Sequence, residues 1–212
     1  DLLETKIKKI HRGEILTTWG DYHNKIRSKK NRFDEIIGFI NEFCRDAETA
    51  LDIAGNQGLF SLRLLKETSV KNVICQDYDE QAIDRGYSSH RGSEENIAFV
   101  NYNFAAPIVK TTHSFPVERF KADIVCALAL LHHLILSQGF ALDYILDEIY
   151  KYSNKYVAVE FMPNGLWIHG AAVNIPDWYT LDWFRKAFIS RFDILVEKKI
   201  AENYILFLGR KV

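Results

Sequence analysis

From Thr49 onward the sequence alternates short apolar runs with amphipathic ones, and this alternation most constrains what the chain can fold into. Strands covered on both faces read as continuous apolar runs, and parallel neighbours need a crossover, usually a helix. Residues 49–54 read as a first buried strand, 71–76 as a second, 96–102 as a third and 156–161 as a fifth. The fourth, 122–128, is the most apolar, as a central strand should be. Between them, 57–66 and 141–152 carry apolar residues at helical spacing, and another helix is expected from Asp79 to a stop at Gly86. Strand–helix alternation of this kind predicts an α/β fold with a mainly parallel sheet.

The two ends depart from the alternation. Residues 2–11 and 34–43 predict helices, the second with Ile36, Ile37, Ile40 and Phe43 as its apolar face. Runs 192–200 and 203–209 are joined only by Ala201-Glu202, too short for a crossover, so they form an antiparallel hairpin. The expected architecture is a Rossmann-like seven-stranded mixed sheet: five parallel strands plus a C-terminal antiparallel hairpin at or near an edge. Helices cover both faces, and an N-terminal helical extension precedes them. Residues 1–47 would form a helical lid or acceptor region, and residues 48–212 a single structural unit.

Composition removes several alternatives. A chain of 212 residues that is 48% hydrophobic and 26% charged is ordinary for one globular domain, not for a disordered or fibrous chain. Lys plus Arg total 27 against 28 for Asp plus Glu, so the basic excess of a nucleic-acid binder is missing and no nucleic-acid partner is expected. The longest apolar run, 124–131, falls far short of the roughly 20 residues of a membrane span. Cys44, Cys75 and Cys126 share no C-x-x-C spacing and are odd in number, which fits a reducing compartment. No signal-peptide-like segment is read, and a soluble cytoplasmic protein is the expectation.

In an open parallel sheet, ligands bind beyond the carboxyl ends of the strands, where strand order reverses. The first strand exits into Asp52-Ile-Ala-Gly-Asn-Gln-Gly58. Ala54, Gly55 and Gly58 are small enough for a ligand to approach the backbone, and Asn56 tolerates a positive φ. The next helix offers free N–H groups to an anion. The second strand ends at Asp77, followed by Tyr78, roughly 20 residues beyond the glycine loop, where an acid accepts both hydroxyls of a ribose. Asp79 is better placed to cap the following helix. The third strand exits at Asn103 and Phe104, an amide and a ring suited to an adenine, although a plain turn fits as well. A dinucleotide is disfavoured, because G-x-G-x-x-G is absent and helices precede the first strand.

The D-x-[GA]-x-[GN]-x-G pattern at 52–58, the N-terminal helices and the terminal hairpin together resemble the class I S-adenosylmethionine-dependent methyltransferases, over residues 19–211. The sequence departs from that pattern at Ala54 and Asn56, where many members carry Gly. The resemblance implies S-adenosylmethionine as cofactor, contacted by Asp52, Ala54, Gly55, Asn56, Gly58, Asp77, Tyr78, Asn103 and Phe104 and by Ala127 and Leu128 at the end of the fourth strand. Ala127-Leu-Ala-Leu-Leu-His-His-Leu134, Val159-Glu-Phe-Met-Pro163 and Ile175-Pro-Asp-Trp-Tyr-Thr180 look like a bacterial subgroup that includes nodulation-type methyltransferases. Gln57-Gly-Leu-Phe-Ser-Leu62 with the His pair is similar to enzymes that cap polysaccharide chains. Both imply oxygen methylation of a small-molecule or glycan acceptor and a place in polysaccharide biosynthesis.

The His pair has its own chemical logic. A hydroxyl that attacks a sulfonium methyl must lose its proton, and a neutral imidazole is matched to that task. His132 and His133 follow the fourth strand and Glu160 ends the fifth, its neighbour in this topology, so a Glu–His pair is expected with His133 facing the site. An anionic acceptor such as a phosphate would need no base. Adjacent histidines seldom chelate one ion, and no matching second carboxylate is seen, so no metal is expected. Lys25, Arg27, Lys29, Lys30 and Arg32 form a basic run, of which Arg27, Lys30 and Arg32 are candidates to pair with an acidic acceptor or the cofactor carboxylate. Trp19 and Tyr22 are candidates for a lid over the cofactor. Trp167 is the aromatic candidate for an acceptor contact, with His169 beside it, whereas Trp183 reads as core. The competing readings are a nitrogen- or protein-directed enzyme of the same fold and a non-catalytic partner subunit; a nicotinamide oxidoreductase is more distant.

Overall fold

The computed structural model describes residues 17, 30–105, 115–168, 171–172 and 175–212. The expected helix over 2–11 lies outside the described residues. The elements run α1 (Lys30–Phe43), β1 (Thr49–Ile53), α2 (Leu59–Glu67), β2 (Asn72–Asp77), α3 (Glu80–His90), β3 (Ile97–Asn101), α4 (Pro116–Arg119), β4 (Ala122–Ala127), α5 (Leu131–Leu136), α6 (Leu142–Tyr152), β5 (Ser153–Phe161), β6 (Trp167–Ile168), β7 (Ala171–Ala172), α7 (Leu181–Ile189), β8 (Phe192–Ala201) and β9 (Tyr204–Lys211). Seven strands form one sheet in the order β3-β2-β1-β4-β5-β9-β8. The first five are parallel; β9 runs antiparallel to β5 and β8 closes the edge as its hairpin partner. The expected architecture therefore holds, with the β6–β7 ribbon as an unanticipated addition.

Strand periodicity of two sorts side chains between two cores. Ala50, Ile124, Cys126, Ala158, Leu206 and Leu208 pack with Ile36, Ile37 and Ile40 of α1 and with Phe60 and Leu64 of α2. The intervening Leu51, Ile53, Val125, Ala127, Val157, Val159 and Phe207 face α6 and α7 on the other side. There Phe184, Phe188 and Phe207 stack with ring centroids 4.9 to 6.2 Å apart. Each such fully buried ring contributes on the order of 1.5–3 kcal/mol of transfer free energy. Helix α1 thus belongs to the same core as the sheet. All three cysteines are free and buried. Among the described residues, no helix is long and apolar enough to cross a membrane.

One helix runs past its expected stop. α3 continues through Gly86 to His90. Gly86 is buried, and a Cβ there would meet Phe99 Cδ1 at 2.8 Å and the Gln57 carbonyl oxygen at 3.1 Å. The glycine lets α3 lie close against β3; it does not end the helix. In an open helix Gly→Ala stabilises by about 0.5–1 kcal/mol. Here Gly86→Ala should instead destabilise by roughly 1–3 kcal/mol, because the ring and the carbonyl must both move. Urea unfolding of the two proteins reads the sign.

Candidate functional site

The chain runs outward from β1 to β3, returns, and builds β4 and β5 on the other side of β1, so the strand order reverses between β1 and β4. Such a reversal leaves a crevice at the carboxyl ends of the strands. A cavity of about 510 Å³ opens there, within the range of roughly 300–1,000 Å³ for small-molecule sites. Asp52, Ala54, Gly55, Asn56, Asp77, Tyr78, Asn103, Phe104, Leu128 and His133 all line it, as does Arg32 of α1. Residues far apart in sequence are brought together as expected.

The loop after β1 is held in an unusual shape. Ala54 and Asn56 have φ of 56° and 55°, and Gly58 has φ of 81°. The Asn56 N–H donates to Asp77 Oδ2 at 2.9 Å, and the Gly55 N–H to the Gln76 carbonyl at 2.9 Å. Gln76 Oε1 stands 3.5 Å from the Ala54 nitrogen, while its amide donates to the Tyr102 carbonyl. Gln76 thereby joins the loops after β1 and β3. A Cβ on Gly55 would meet Cys75 Sγ at 2.7 Å and Asp52 Oδ2 at 2.8 Å, so the close approach of loop and strand needs glycine. Gly58 stands away from the cavity wall; a Cβ there would press on the Phe99 ring at 2.9 Å.

Two buried carboxylates frame this loop. Asp52 alternates with Leu51 and Ile53 and so points to the α2 side, where Ser61 donates to its Oδ2 at 2.6 Å. Burial pushes its carboxyl up to about 7, opposed by the Ser61 hydrogen bond and aided by the charge of Asp77. Asp77 is also shifted upward by burial, against the N–H donors of Asp79 and Asn56. Asp79, not Asp77, caps α3 by accepting the Ala82 N–H at 3.0 Å. The Thr17 hydroxyl donates to Asp79 at 2.8 Å, which ties Thr17 to the start of α3.

At the other end, α5 starts directly after the β4 loop. His133 is half-buried on the cavity wall, and burial holds its pKa below the usual histidine value. His132 is buried and does not line the cavity; burial, then its neighbour His133, depress its pKa to about 3. Their ring centroids are 4.0 Å apart. Glu160 is fully buried, 3.4 Å from Arg32 Nε, and its Oε2 accepts the Ala129 N–H at 2.8 Å. Glu160 thus reaches both α1 and the β4 loop. The Arg32 guanidinium lies 4.3 Å over the Tyr204 ring and 4.9 Å over Phe33. Its Nη1 meets no hydrogen-bond acceptor among the described residues.

Some expected residues stand elsewhere. Ala127 is buried in β4 behind the cavity wall, in the core that faces α6. Trp19, Tyr22, Arg27 and His169 lie outside the described residues, as do the side chains of Lys30, which opens α1, and Trp167, which opens β6. Trp183 packs against the core as expected. The cavity also takes Gln76, Phe33, Phe60, Ala129, Ser137 and Gln138, which sequence reasoning missed. Gln76 was the detectable one, a polar residue at the end of an apolar strand. Among the described residues, no group of three or more His, Cys, Asp or Glu is arranged to hold a metal.

No protein-family model matches the chain, and no curated protein matches it. Solved structures share its fold. The magnesium protoporphyrin IX methyltransferase of Synechocystis PCC 6803, solved with S-adenosylmethionine (SAM) bound, superposes with a TM-score of 0.64 at 11% identity, covering 94% of this chain and 87% of that one. The N-methyltransferase NodS of Bradyrhizobium japonicum WM9 gives 0.58 at 12% identity over 86% of this chain and 98% of that one. The 16S rRNA methylase RmtB gives 0.62 at 18% identity over 87% and 64%. At these identities the shared property is the fold.

The Asp52 environment carries a pH signature. In the unfolded chain its carboxyl ionises near 4, in the folded chain near 7. Between those values the folded state binds more protons, so this group lowers stability as pH rises through the window. Asp52→Asn removes that effect. The variant should gain stability relative to the parent from about pH 4 to about pH 7 and hold a constant difference above it. Denaturant unfolding across that range measures the difference, and a pH-independent difference would contradict the assignment.

Proposed function

We propose that the chain is a SAM-dependent methyltransferase acting on an oxygen of a small-molecule or glycan acceptor. The observation that carries the reading is the pairing of the Asn56 N–H with the Asp77 carboxylate, which sets a left-handed loop and a buried acid side by side on one cavity wall. The residues fit the cofactor. Asp77 accepts the Asn56 N–H on one oxygen and the Asp79 N–H on the other, and the acceptor capacity left on the carboxylate would serve the ribose hydroxyls. Tyr78, Asn103 and Phe104 would hold the base, and Asp52, Ala54, Gly55 and Leu128 the remainder of the molecule. Arg32, which lines the cavity, would meet a carboxylate of the cofactor or an acidic group of the acceptor. When bound, SAM supplies an electrophilic methyl on sulfur.

His133 is the proposed base. Burial keeps its ring neutral near pH 7, so it can accept the proton of an attacking hydroxyl. His132, buried behind it, would keep the ring packed and take no proton. The acceptor is argued from these groups and not from the structural neighbours, whose acceptors differ: one is named for a porphyrin and another for 16S rRNA. Because an rRNA methylase shares the fold, the balanced charge of this chain alone does not exclude nucleic acid.

The test is calorimetric titration with S-adenosylhomocysteine (SAH), followed by transfer of labelled methyl from SAM to hydroxylated small molecules and glycan ends. Saturable binding and labelled ether products are expected; no binding at millimolar ligand would contradict the reading. With a working acceptor, kcat/KM should fall on the acid side with a midpoint below 6.5, and His133→Ala should remove that limb together with most turnover.

A further inference from the structure

Ala129 sits at the exit of β4 with φ of 52°, a left-handed backbone that an alanine rarely adopts. It stands one residue before Leu130, the N-cap of α5, whose carbonyl accepts the His133 N–H at 2.9 Å. Leu128, Ala129, Leu130 and His133 all line the cavity. The direction of α5, and with it the placement of His133, follows from how the chain turns at Ala129. That turn is held from outside the loop by the carboxylate of Glu160, one strand away and fully shielded from solvent.

We propose that Glu160 is a positioning residue: its Oε2 clamps the Ala129 N–H and thereby fixes the left-handed turn that aims α5 into the cavity, while its Oε1 ties the same carboxylate to Arg32. The proposal rests on the reading of the cavity as the SAM site. It assigns Glu160 no contact with cofactor or acceptor, since the residue does not line the cavity. β-strand alternation explains how it gets there. Ala158 faces α1, so Glu160, two residues on, reaches the same side and meets Arg32 of α1. The same arrangement holds the β1 loop, where left-handed Asn56 donates its N–H to Asp77 of the neighbouring strand. Each of the two central strands thus ends in a left-handed turn whose N–H is bonded by an acid from the next strand outward. The β4 turn is clamped from β5 as the β1 turn is clamped from β2.

The test is a thermodynamic cycle on SAH affinity, because a glycine at 129 adopts the turn without strain and needs the clamp less. Glu160→Leu should weaken SAH binding roughly tenfold or more in the parent background. In the Ala129→Gly background the same change should cost at least about threefold less. The ring resonances of His133, assigned by comparison with His133→Gln, should move in Glu160→Leu without any ligand present. If Glu160→Leu does not fold, Glu160→Gln is read the same way: it keeps an acceptor oxygen but loses the charge, and its smaller loss should shrink again with Gly at 129. The proposal is overturned if a folded Glu160 variant binds SAH as the parent does with His133 unmoved, or if its loss is the same in both backgrounds, which is the mark of a merely structural role. Failure of the underlying function is distinct, since the parent protein itself would then not bind SAH.

Discussion

The cavity depends on backbone N–H groups of strained residues being bonded by buried side chains from the neighbouring strand. Left-handed backbone costs an L-residue roughly 1–2 kcal/mol. A hydrogen bond to a charged acceptor contributes roughly 1.5–3 kcal/mol, so at Asn56 and Ala129 the clamp outweighs the strain it holds. Ala54 has only the longer 3.5 Å contact with the neutral Gln76 amide, and its loop leans also on the Gly55–Gln76 backbone bond. Without these bonds the loops after β1 and β4 would relax toward ordinary conformations and fill the crevice that the strand order opens.

The acids buried at these strand ends, Asp52 beside the two clamping acids, are costly to bury, and the fold offsets each cost differently. Asp52 is met by the Ser61 hydroxyl and is pushed toward protonation at neutral pH. Asp77 is met by two backbone N–H donors. Glu160 is met by one N–H and by a guanidinium held over Tyr204 and Phe33. All three stand at or next to the last residue of a strand, at the edge of the sheet where the cavity opens. The elements that carry the core therefore also determine the shape and charge of the cavity.

Much of this was legible in the sequence. The alternation of apolar runs yielded the five parallel strands, and a linker too short for a crossover yielded the hairpin of β8 and β9. Asp52, Asn56, Asp77, Phe104 and His133 were recognisable because strand exits are fixed by where apolar runs stop. Three features were not legible, for physical reasons. Gly86 reads as a helix stop because propensity cannot report that Phe99 presses on the helix from another strand. The contacts of Glu160 with Ala129 and Arg32 could not be read beside its expected place near the histidines, because they depend on which side of the sheet it faces. Arg32 reads as a ligand-pairing member of a basic run, but its burial, at 5% exposed, does not show in a run of charges. Its flat guanidinium packs over the ring of Tyr204, far away in sequence, and over that of the adjacent Phe33.

Native-state hydrogen exchange of the Asn56 and Ala129 amides in the ligand-free protein tests the clamps most directly, because both belong to loops that line an open cavity. If the acids hold the turns in advance of any ligand, these two amides should be protected nearly as well as the amides of Leu51 and Val125 in the central strands they follow. Exchange at the rate of an exposed loop, with protection appearing only when SAH is added, would contradict the account and make the ligand, not the fold, the source of the cavity's shape.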